Sequence, residues 1–301
     1  MHIVMIEIVL VTHSRIFHPE LKFSGVWNDI ANGFKAFLEE LAKTSGIPLK
    51  YSVLSLFKNY NNIEEYLEKV EEAIVSNPDI LILPLTPRQG EFEERLLKML
   101  EGYRGIIIAI NVPPDEKAMQ RLKGKLRGYV GMDEKGAGRK AAERLFSEVD
   151  DFDCIYIPDD KPEHYGYYLR RTGAEEVARQ YGVPVCTINI NNPKSADVVC
   201  KLMGKGAFIS LGPVGTDFAL NAREKWPSKV KAIVAMDLDK KTSEAILSGK
   251  VICTLIQHPK EQGAKAAELA VNIATGKTSS AFTNIYCGPT VIDQDNIAIF
   301  I

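Results

Sequence analysis

The segment 231–263 constrains the fold more than any other part of the sequence, because it contains two short apolar runs that each end on a polar residue. The run Ala232–Met236 stops at Asp237, and the run Val251–Ile256 stops at Gln257. Uninterrupted apolar strands are typical of a parallel sheet covered on both faces. In open α/β sheets, ligands bind outside the carboxyl ends of the strands. The segment therefore predicts two strands that deliver polar side chains to one half of a binding site.

Helices are predicted around these strands, and the same alternation extends along the chain. A helix over 240–248 ends at Gly249, and a long helix begins at Pro259. Apolar strands and amphipathic helices also alternate from Ile3 onward, which indicates parallel sheets with right-handed crossovers. An acidic stretch at 150–153 divides the series, so we expect two α/β lobes of similar construction.

Composition excludes several classes of protein. With 37 basic and 39 acidic residues, the net charge of −2 gives no global field for nucleic acid or an anionic membrane. No apolar run reaches the roughly 18 residues expected of a membrane helix, and we expect no direct membrane insertion. The first residues read as a strand, so a secretory signal either lies outside this sequence or does not exist.

Motifs for metals, cofactors or catalysis are missing from the sequence. The five cysteines are widely spaced, and no cysteine or histidine pair has the spacing of a zinc site. The sequence also lacks a P-loop, a Gly-x-Ser-x-Gly motif and a His-Glu-x-x-His motif. We therefore expect neither a metal nor a cofactor, and a protein that is not an enzyme.

The spacing of Asp237, Gly249, Gln257, Pro259 and Gly263 resembles the closing segment of type I periplasmic binding proteins. The similarity is to the ribose and galactose class and to the ligand domains of LacI-type repressors, and it extends over essentially the whole chain. The resemblance implies two Rossmann-like lobes with parallel sheets, joined by a three-segment hinge.

The resemblance also implies where the lobes begin and end. Residues 1–131 with 258–286 would form the N-terminal lobe. Residues 132–257 with 287–301 would form the C-terminal lobe, and the chain would cross near Gly131, Gln257 and Cys287. A small ligand would bind in the cleft between the lobes.

Three candidate ligand contacts match positions of the family. The resemblance implies that Asp237 and Gln257 hold sugar hydroxyls, as an acceptor and as a donor–acceptor pair. The alternatives are that Asp237 caps the next helix and that Gln257 makes a strand-end hinge contact. Trp27 matches an aromatic residue that lies against the sugar ring, although its place on an apolar helical stripe also fits a core residue.

Other candidate contacts depart from the family pattern. Asn111, followed by Val112, stands where aldose binders carry Asp-Arg. Tyr168 replaces the sugar-binding arginine, while Arg170 matches a second, more structural arginine. Gly212 stands where sugar binders usually show Asn-Asp. These departures predict a cleft with fewer charged contacts and more aromatic or apolar surface.

A loop after the first strand supplies the last candidate contacts. His13 and Ser14 face the cleft by topology, in a loop longer than that of ribose binders.

Three functions remain open from the sequence. The first is an extracytoplasmic solute-binding protein that captures a sugar or sugar-like ligand for ABC-type uptake or sensing, with a membrane permease or sensor as its partner. The second is the effector-binding domain of a cytoplasmic LacI-type regulator without its DNA-binding module. The third is an α/β enzyme that uses a nucleotide or sugar phosphate at the Gly131 or Gly212 turn.

Overall fold

The chain forms two units, each built from segments that are not contiguous in sequence. The computed structural model describes residues 5–12, 25–56, 62–86, 90–202, 204–278 and 281–301. Unit 1 comprises Met1–Met132 and His258–Cys287, and unit 2 comprises Asp133–Gln257 and Gly288–Ile301. The chain therefore passes between the units three times.

Helices and strands alternate almost without interruption through the described residues. In chain order, unit 1 begins with β1 (Ile6–Val11), α1 (Val26–Ser45), β2 (Leu49–Leu54), α2 (Ile63–Val75), β3 (Ile80–Leu83), α3 (Gly90–Gly102), β4 (Ile106–Ile110), α4 (Glu116–Arg121) and β5 (Leu126–Gly131). Unit 2 continues with α5 (Glu134–Glu148), β6 (Cys154–Asp159), α6 (Tyr165–Gln180), β7 (Val185–Asn189), α7 (Pro193–Leu202), β8 (Gly206–Ile209), α8 (Pro213–Lys225), β9 (Val230–Met236), α9 (Lys240–Leu247) and β10 (Cys253–Ile256). The chain then returns to unit 1 with α10 (Pro259–Ala274) and β11 (Thr283–Tyr286), and ends in unit 2 with β12 (Thr290–Asp293) and a 3-10 turn (Ile297–Ile299).

The sheet of unit 1 has the strand order β11-β5-β4-β3-β1-β2, and every described pairing in it is parallel. All four residues of β3 are buried. Its side chains alternate between two apolar clusters, with Leu81 and Leu83 in one and Ile80 and Ile82 in the other. Helices cover both faces of this sheet, as its uninterrupted apolar strands require.

The sheet of unit 2 has the order β12-β10-β9-β8-β6-β7, with β12 antiparallel to β10 and the other described pairings parallel. From the sequence, the apolar residues 297–300 predict the final strand of the chain. This prediction is wrong, because the edge strand is β12 and residues 297–299 form a 3-10 turn. The side chain of Asn296 accepts a hydrogen bond from Asp293 N and closes a polar turn directly after β12. The two-lobed α/β fold class predicted from the sequence is confirmed.

A close crossing of two helices occurs in both units. In unit 1, α1 crosses α10, and in unit 2, α6 crosses α5. A Cβ added to any of four glycines would lie about 2 Å from a backbone carbonyl oxygen of the facing helix: Gly33 at 1.8 Å from Lys260, Gly263 at 1.9 Å from Ile30, Gly138 at 1.8 Å from Arg170 and Gly173 at 2.1 Å from Lys135.

The four contacts also equate positions between the units. Each contacted carbonyl belongs to the residue three places before the glycine of its own helix. The strands β1 and β6 hold the same place in their sheets, so α1, which follows β1, corresponds to α6, which follows β6. Ile30 therefore corresponds to Arg170, and Lys260 of α10 corresponds to Lys135 of α5. Pro259, which precedes Lys260, therefore corresponds to Glu134, which precedes Lys135.

No helix among the described residues combines the length and the apolar character needed to span a membrane.

Candidate functional site

The strands β4 and β9, which hold the same position in their sheets, end in residues with an unusual backbone. Asn111 has a φ of 64° and Asp237 a φ of 66°, both in the left-handed region that asparagine and aspartate tolerate better than most residues. Asn111 N donates to Val130 O, and Asp237 N donates to Leu255 O, each at 2.9 Å. Each bond ties the residue to the next strand and directs the chain across the carboxyl edge of its sheet.

Asp237 and Gln257 lie together at the carboxyl edge of unit 2. Gln257 Nε2 donates to Asp237 Oδ1 at 2.9 Å, and Thr254 Oγ1 donates to Asp237 O at 2.6 Å. The alternative that Asp237 caps α9 is wrong, because Asp239 is the N-cap and accepts from Thr242 N at 2.7 Å. The carboxylate of Asp237 is therefore held by an amide at the end of the neighbouring strand and has no capping role.

Arg170 and Glu134 form a buried ion pair close to this edge. The two residues are 4% and 3% exposed. Arg170 Nε donates to Glu134 Oε2 at 2.5 Å, and Arg170 Nη1 donates to the carbonyl oxygen of Leu211. The pair thereby connects the first turn of α5, the helix α6 and the turn after β8.

Charge interactions extend this pair to Asp237. Burial raises the pKa of Glu134, and Asp237 raises it further, whereas Arg170 lowers it. Burial opposes the charged form of Arg170, but the carboxylates of Glu134 and Asp237 together hold its pKa above the ordinary value. Arg170 thus stays protonated while two carboxylates share its charge.

Tyr168 presents an aromatic surface in the first turns of α6. Its side chain is 47% exposed. The ring stacks on Tyr165 with centroids 5.7 Å apart and planes inclined by 18°, and the guanidinium carbon of Arg171 lies 5.7 Å from the ring. Arg171 in turn pairs with Asp159 at 3.3 Å. Aromatic faces of this kind suit the C–H surface of a sugar or another flat apolar group.

In unit 1, Trp27 packs in the core and Asn111 is tied to α10. Trp27 is 6% exposed and belongs to the apolar cluster around Ile30 and Phe34. Asn111 Nδ2 donates to Gln262 Oε1 at 3.2 Å, and the side chain of Gln262 is fully buried. Tyr129 Oη donates to Asn111 O at 3.3 Å. The side chain of Asn111 is therefore held by an amide, as Asp237 is in unit 2.

The predicted contacts His13 and Ser14 lie outside the described residues. For the remaining candidates, the structure brings together Arg170, Asp237 and Gln257 in unit 2, with Tyr168 on the same helix as Arg170. Their contact with a ligand stays a prediction.

Sequence reasoning missed Glu134 and Gln262. Glu134 follows the capping residue Asp133 and gives no sign of its burial, because its partner Arg170 comes from another helix. Gln262 precedes Gly263, which is part of the motif that predicted the fold. Nothing in that motif indicates that the side chain of Gln262 binds Asn111.

Metal ligation finds no support in the described part of the chain, where no group of three or more His, Cys, Asp or Glu side chains could hold an ion. The Gly131 and Gly212 turns each lead into a helix, and a side chain caps the first of the two helices. Asp133 caps α5 by accepting from Gly136 N at 2.9 Å, and Gly212 precedes Pro213 at the start of α8.

Comparison with known proteins identifies the family. The sequence matches the family described as periplasmic binding protein domain over residues 23–278. The chain belongs to the periplasmic binding protein family. The resemblance predicted from segment 231–263 is thereby confirmed, and the family is one of binding proteins rather than enzymes.

Solved structures support the same fold for this periplasmic binding protein. A glucose-galactose binding protein from Geobacillus stearothermophilus is 21% identical with a TM-score of 0.76, covering 97% of this chain and 98% of that chain. A periplasmic solute-binding protein of an ABC transporter from Actinobacillus succinogenes, with bound D-allose, is 20% identical with a TM-score of 0.69, covering 98% and 100%.

A third solved structure comes from a different functional class. A putative LacI transcriptional regulator from Bacteroides fragilis is 13% identical with a TM-score of 0.73, covering 98% of this chain and 99% of that chain. Among curated proteins, none matches the sequence.

Proposed function

We propose that this periplasmic binding protein binds a small sugar or sugar-like molecule at the carboxyl edges of its sheets. The observation that carries the proposal is the hydrogen-bonded pair of Asp237 and Gln257 at the end of two neighbouring strands. A carboxylate accepts hydrogen bonds from hydroxyl groups, and an amide both donates and accepts, which suits a polyhydroxylated ligand.

Further candidate residues are proposed for each unit by itself. Tyr168 supplies an exposed ring in unit 2, whereas the buried Arg170 serves the same site through its charge near Asp237. For unit 1, we propose Asn111, together with His13 and Ser14, and Trp27 through the small part of its ring that the core leaves exposed. Because Val112 is buried and Tyr168 is aromatic, where aldose binders carry arginines, we propose a ligand with apolar surface, such as a deoxy sugar.

The biological role that we propose is capture outside the cytoplasm, for uptake by an ABC-type permease or for signalling through a membrane sensor. Ligand binding favours the conformation of the receptor that binds the ligand more tightly. A permease or sensor that distinguishes the ligand-bound receptor from the free one would respond to its occupancy. The D-allose complex of the Actinobacillus succinogenes protein supports a transport role by analogy of fold.

A thermal-shift panel tests the proposed ligand class. The panel contains D-ribose, D-glucose, D-galactose, D-allose, D-arabinose, 2-deoxy-D-ribose, L-fucose and the polyols ribitol and sorbitol. A ligand at 100 times its Kd stabilises the folded protein by about 2.7 kcal/mol. Because the entropy of unfolding at Tm is about 2.1 cal/mol/K per residue, this corresponds to a rise of about 4 °C in Tm for 301 residues. A panel without a stabilising member would refute the sugar assignment.

Replacement of Asp237 by alanine tests the site. We expect Asp237→Ala to abolish the ligand-induced rise in Tm. Asp239→Ala is the matched control, two residues away, because it removes the α9 cap at a cost of about 1 kcal/mol and leaves the Asp237–Gln257 pair in place. The control should melt earlier and still respond to the ligand. Wild-type affinity in Asp237→Ala would show that the site lies elsewhere.

A regulator's effector domain is the second candidate, favoured by the similarity to the putative LacI regulator from Bacteroides fragilis. The coding sequence upstream of Met1 separates the two functions. A helix-turn-helix module of about 60 residues would identify a regulator, since DNA recognition needs such a module. A secretory signal would identify an extracytoplasmic receptor.

A further inference from the structure

We propose that Glu134 and Arg170 are positioning residues, which fix the Leu211–Gly212 turn and Asp237 at the carboxyl edge of unit 2 so that this edge is already formed before a ligand arrives. This inference rests on the proposed function in one respect, since it assumes that Asp237 contacts the ligand.

The contacts of Arg170 point to such a role. Its guanidinium donates to Glu134 and to the Leu211 carbonyl oxygen, and it lies 5.4 Å from the ring of Tyr167. The Tyr167 hydroxyl in turn lies against the same turn, because a Cβ at Gly212 would be 2.0 Å from it. Two neighbouring side chains of α6 thus support one turn, and the arginine is too deeply buried to leave it.

The helix crossing itself does not explain the ion pair. In unit 1, the equivalent crossing of α1 and α10 has Ile30 and Pro259 in the places of Arg170 and Glu134. The helices there approach as closely, at 1.8 and 1.9 Å from the added Cβ atoms. A buried ion pair is often no more stabilising than apolar residues of similar volume, because both charges lose their hydration. We therefore infer that the ion pair of unit 2 has a role other than holding the two helices together.

The difference between the units lies at the strand end. The left-handed residue is the neutral Asn111 in unit 1 and the charged Asp237 in unit 2. Gln257 donates one hydrogen bond to Asp237, and Arg170 adds an attractive charge at longer range. Glu134 limits this attraction, because it holds the guanidinium in a direct ion pair. Among the described residues, Asp237 thereby keeps its hydrogen bond with Gln257 instead of pairing directly with Arg170.

The equivalent positions of unit 1 show which residues can replace the ion pair in a test. Glu134→Pro with Arg170→Ile gives unit 2 the residues that the α1–α10 crossing already uses. Glu134 is the first residue of α5, where proline is well tolerated, and Asp133 before it is extended, as a residue before proline prefers. The control removes an exposed ion pair of unit 1 by Glu64→Gln with Arg95→Met.

Hydrogen exchange measured by mass spectrometry, without any ligand, tests the positioning directly. We expect amides of residues 211–217 to exchange about tenfold faster in the Glu134→Pro, Arg170→Ile variant, while α5 and α6 keep their protection. The control pair should leave residues 211–217 unchanged. Wild-type exchange in the turn would overturn the proposal. Loss of protection throughout α5 and α6 would overturn it as well, since the crossing would then depend on the pair.

Calorimetric titration then links position to binding, with the member of the sugar panel that raises Tm most as the probe. We expect the Kd of the double variant to rise about tenfold. The Tm of the ligand-free protein should fall by only about 2–3 °C, because the Leu211 carbonyl oxygen loses one donor. An unchanged Kd would refute a role in binding. If Asp237→Ala retains wild-type affinity, the proposed binding site is wrong, and the exchange experiment still decides whether the pair holds the turn.

Discussion

The crossing of α5 and α6 leaves no space for a methyl group at Gly138, and this predicts a large loss of stability in Gly138→Ala. The new Cβ would lie 1.8 Å from the carbonyl oxygen of Arg170, whereas an ordinary contact needs at least 3.4 Å. The helices would have to separate by roughly the difference, 1.6 Å, because both obstructing groups belong to the backbone. Overpacking usually costs 1–3 kcal/mol, and a clash between two backbones belongs at about 3 kcal/mol.

Thermal unfolding followed by circular dichroism measures this cost. About 3 kcal/mol corresponds to a fall of about 5 °C in Tm for a chain of 301 residues. Gly33→Ala, which meets Lys260 O at 1.8 Å, should behave alike if the two crossings are equivalent. Gly102→Ala is the control, because nothing lies within 4 Å of its added Cβ, and alanine at a helical position gains about 0.5–1 kcal/mol over glycine. A Tm of Gly138→Ala at or above that of the wild type would refute the reasoning.

Two further predictions concern buried groups of both units. Tyr103 Oη donates to Pro78 O at 2.6 Å, and Tyr103→Phe deprives this buried carbonyl oxygen of the donor. The free energy of unfolding in urea should therefore fall by about 1–2 kcal/mol. An unchanged midpoint of the urea transition would contradict this prediction. Burial raises the pKa of Cys253 and of Cys287 to about 12 and that of the half-buried Cys154 to about 11. Iodoacetamide at pH 8 should therefore label Cys154 before the other two in the native protein, since the thiolate is the reactive form, and mass spectrometry of digests would show equal labelling only after unfolding in urea.

The sequence predicts the fold well where apolar runs are short and bounded. Strands such as β3 and β9 carry their own signal, because a buried parallel strand needs uninterrupted apolar residues. Predictions fail where local turns decide the outcome. The strand β12 was missed because the final strand was predicted at the apolar residues 297–300. The strand in fact lies before them and ends at the polar turn Asp293–Asn296. The short helix α4 depends on the Asp115 cap rather than on a long periodic pattern.

The candidate site is less accessible to sequence reasoning. Asp237 and Gln257 could be expected at one edge, because β9 and β10 are consecutive parallel strands. The burial of Arg170 could not be expected from the pattern of α6, because this helix carries tyrosines and arginines on several faces and is only weakly amphipathic. Whether such an arginine faces solvent depends on Glu134, which belongs to another helix. Contacts of this kind become visible only when the helices are placed together.

The discontinuous composition of the units has a consequence for biosynthesis. During translation, α1 emerges early, but the helix that crosses it, α10, follows only after Asp133–Gln257 has been made. Until α10 has been made, the face of α1 around Gly33 therefore lacks its partner helix. Unit 2 in turn lacks its edge strand β12 until Thr290–Asp293 leaves the exit tunnel. Truncation near the C-terminus thus removes the closing strand of one unit and, if it extends past Pro259, the covering helix of the other.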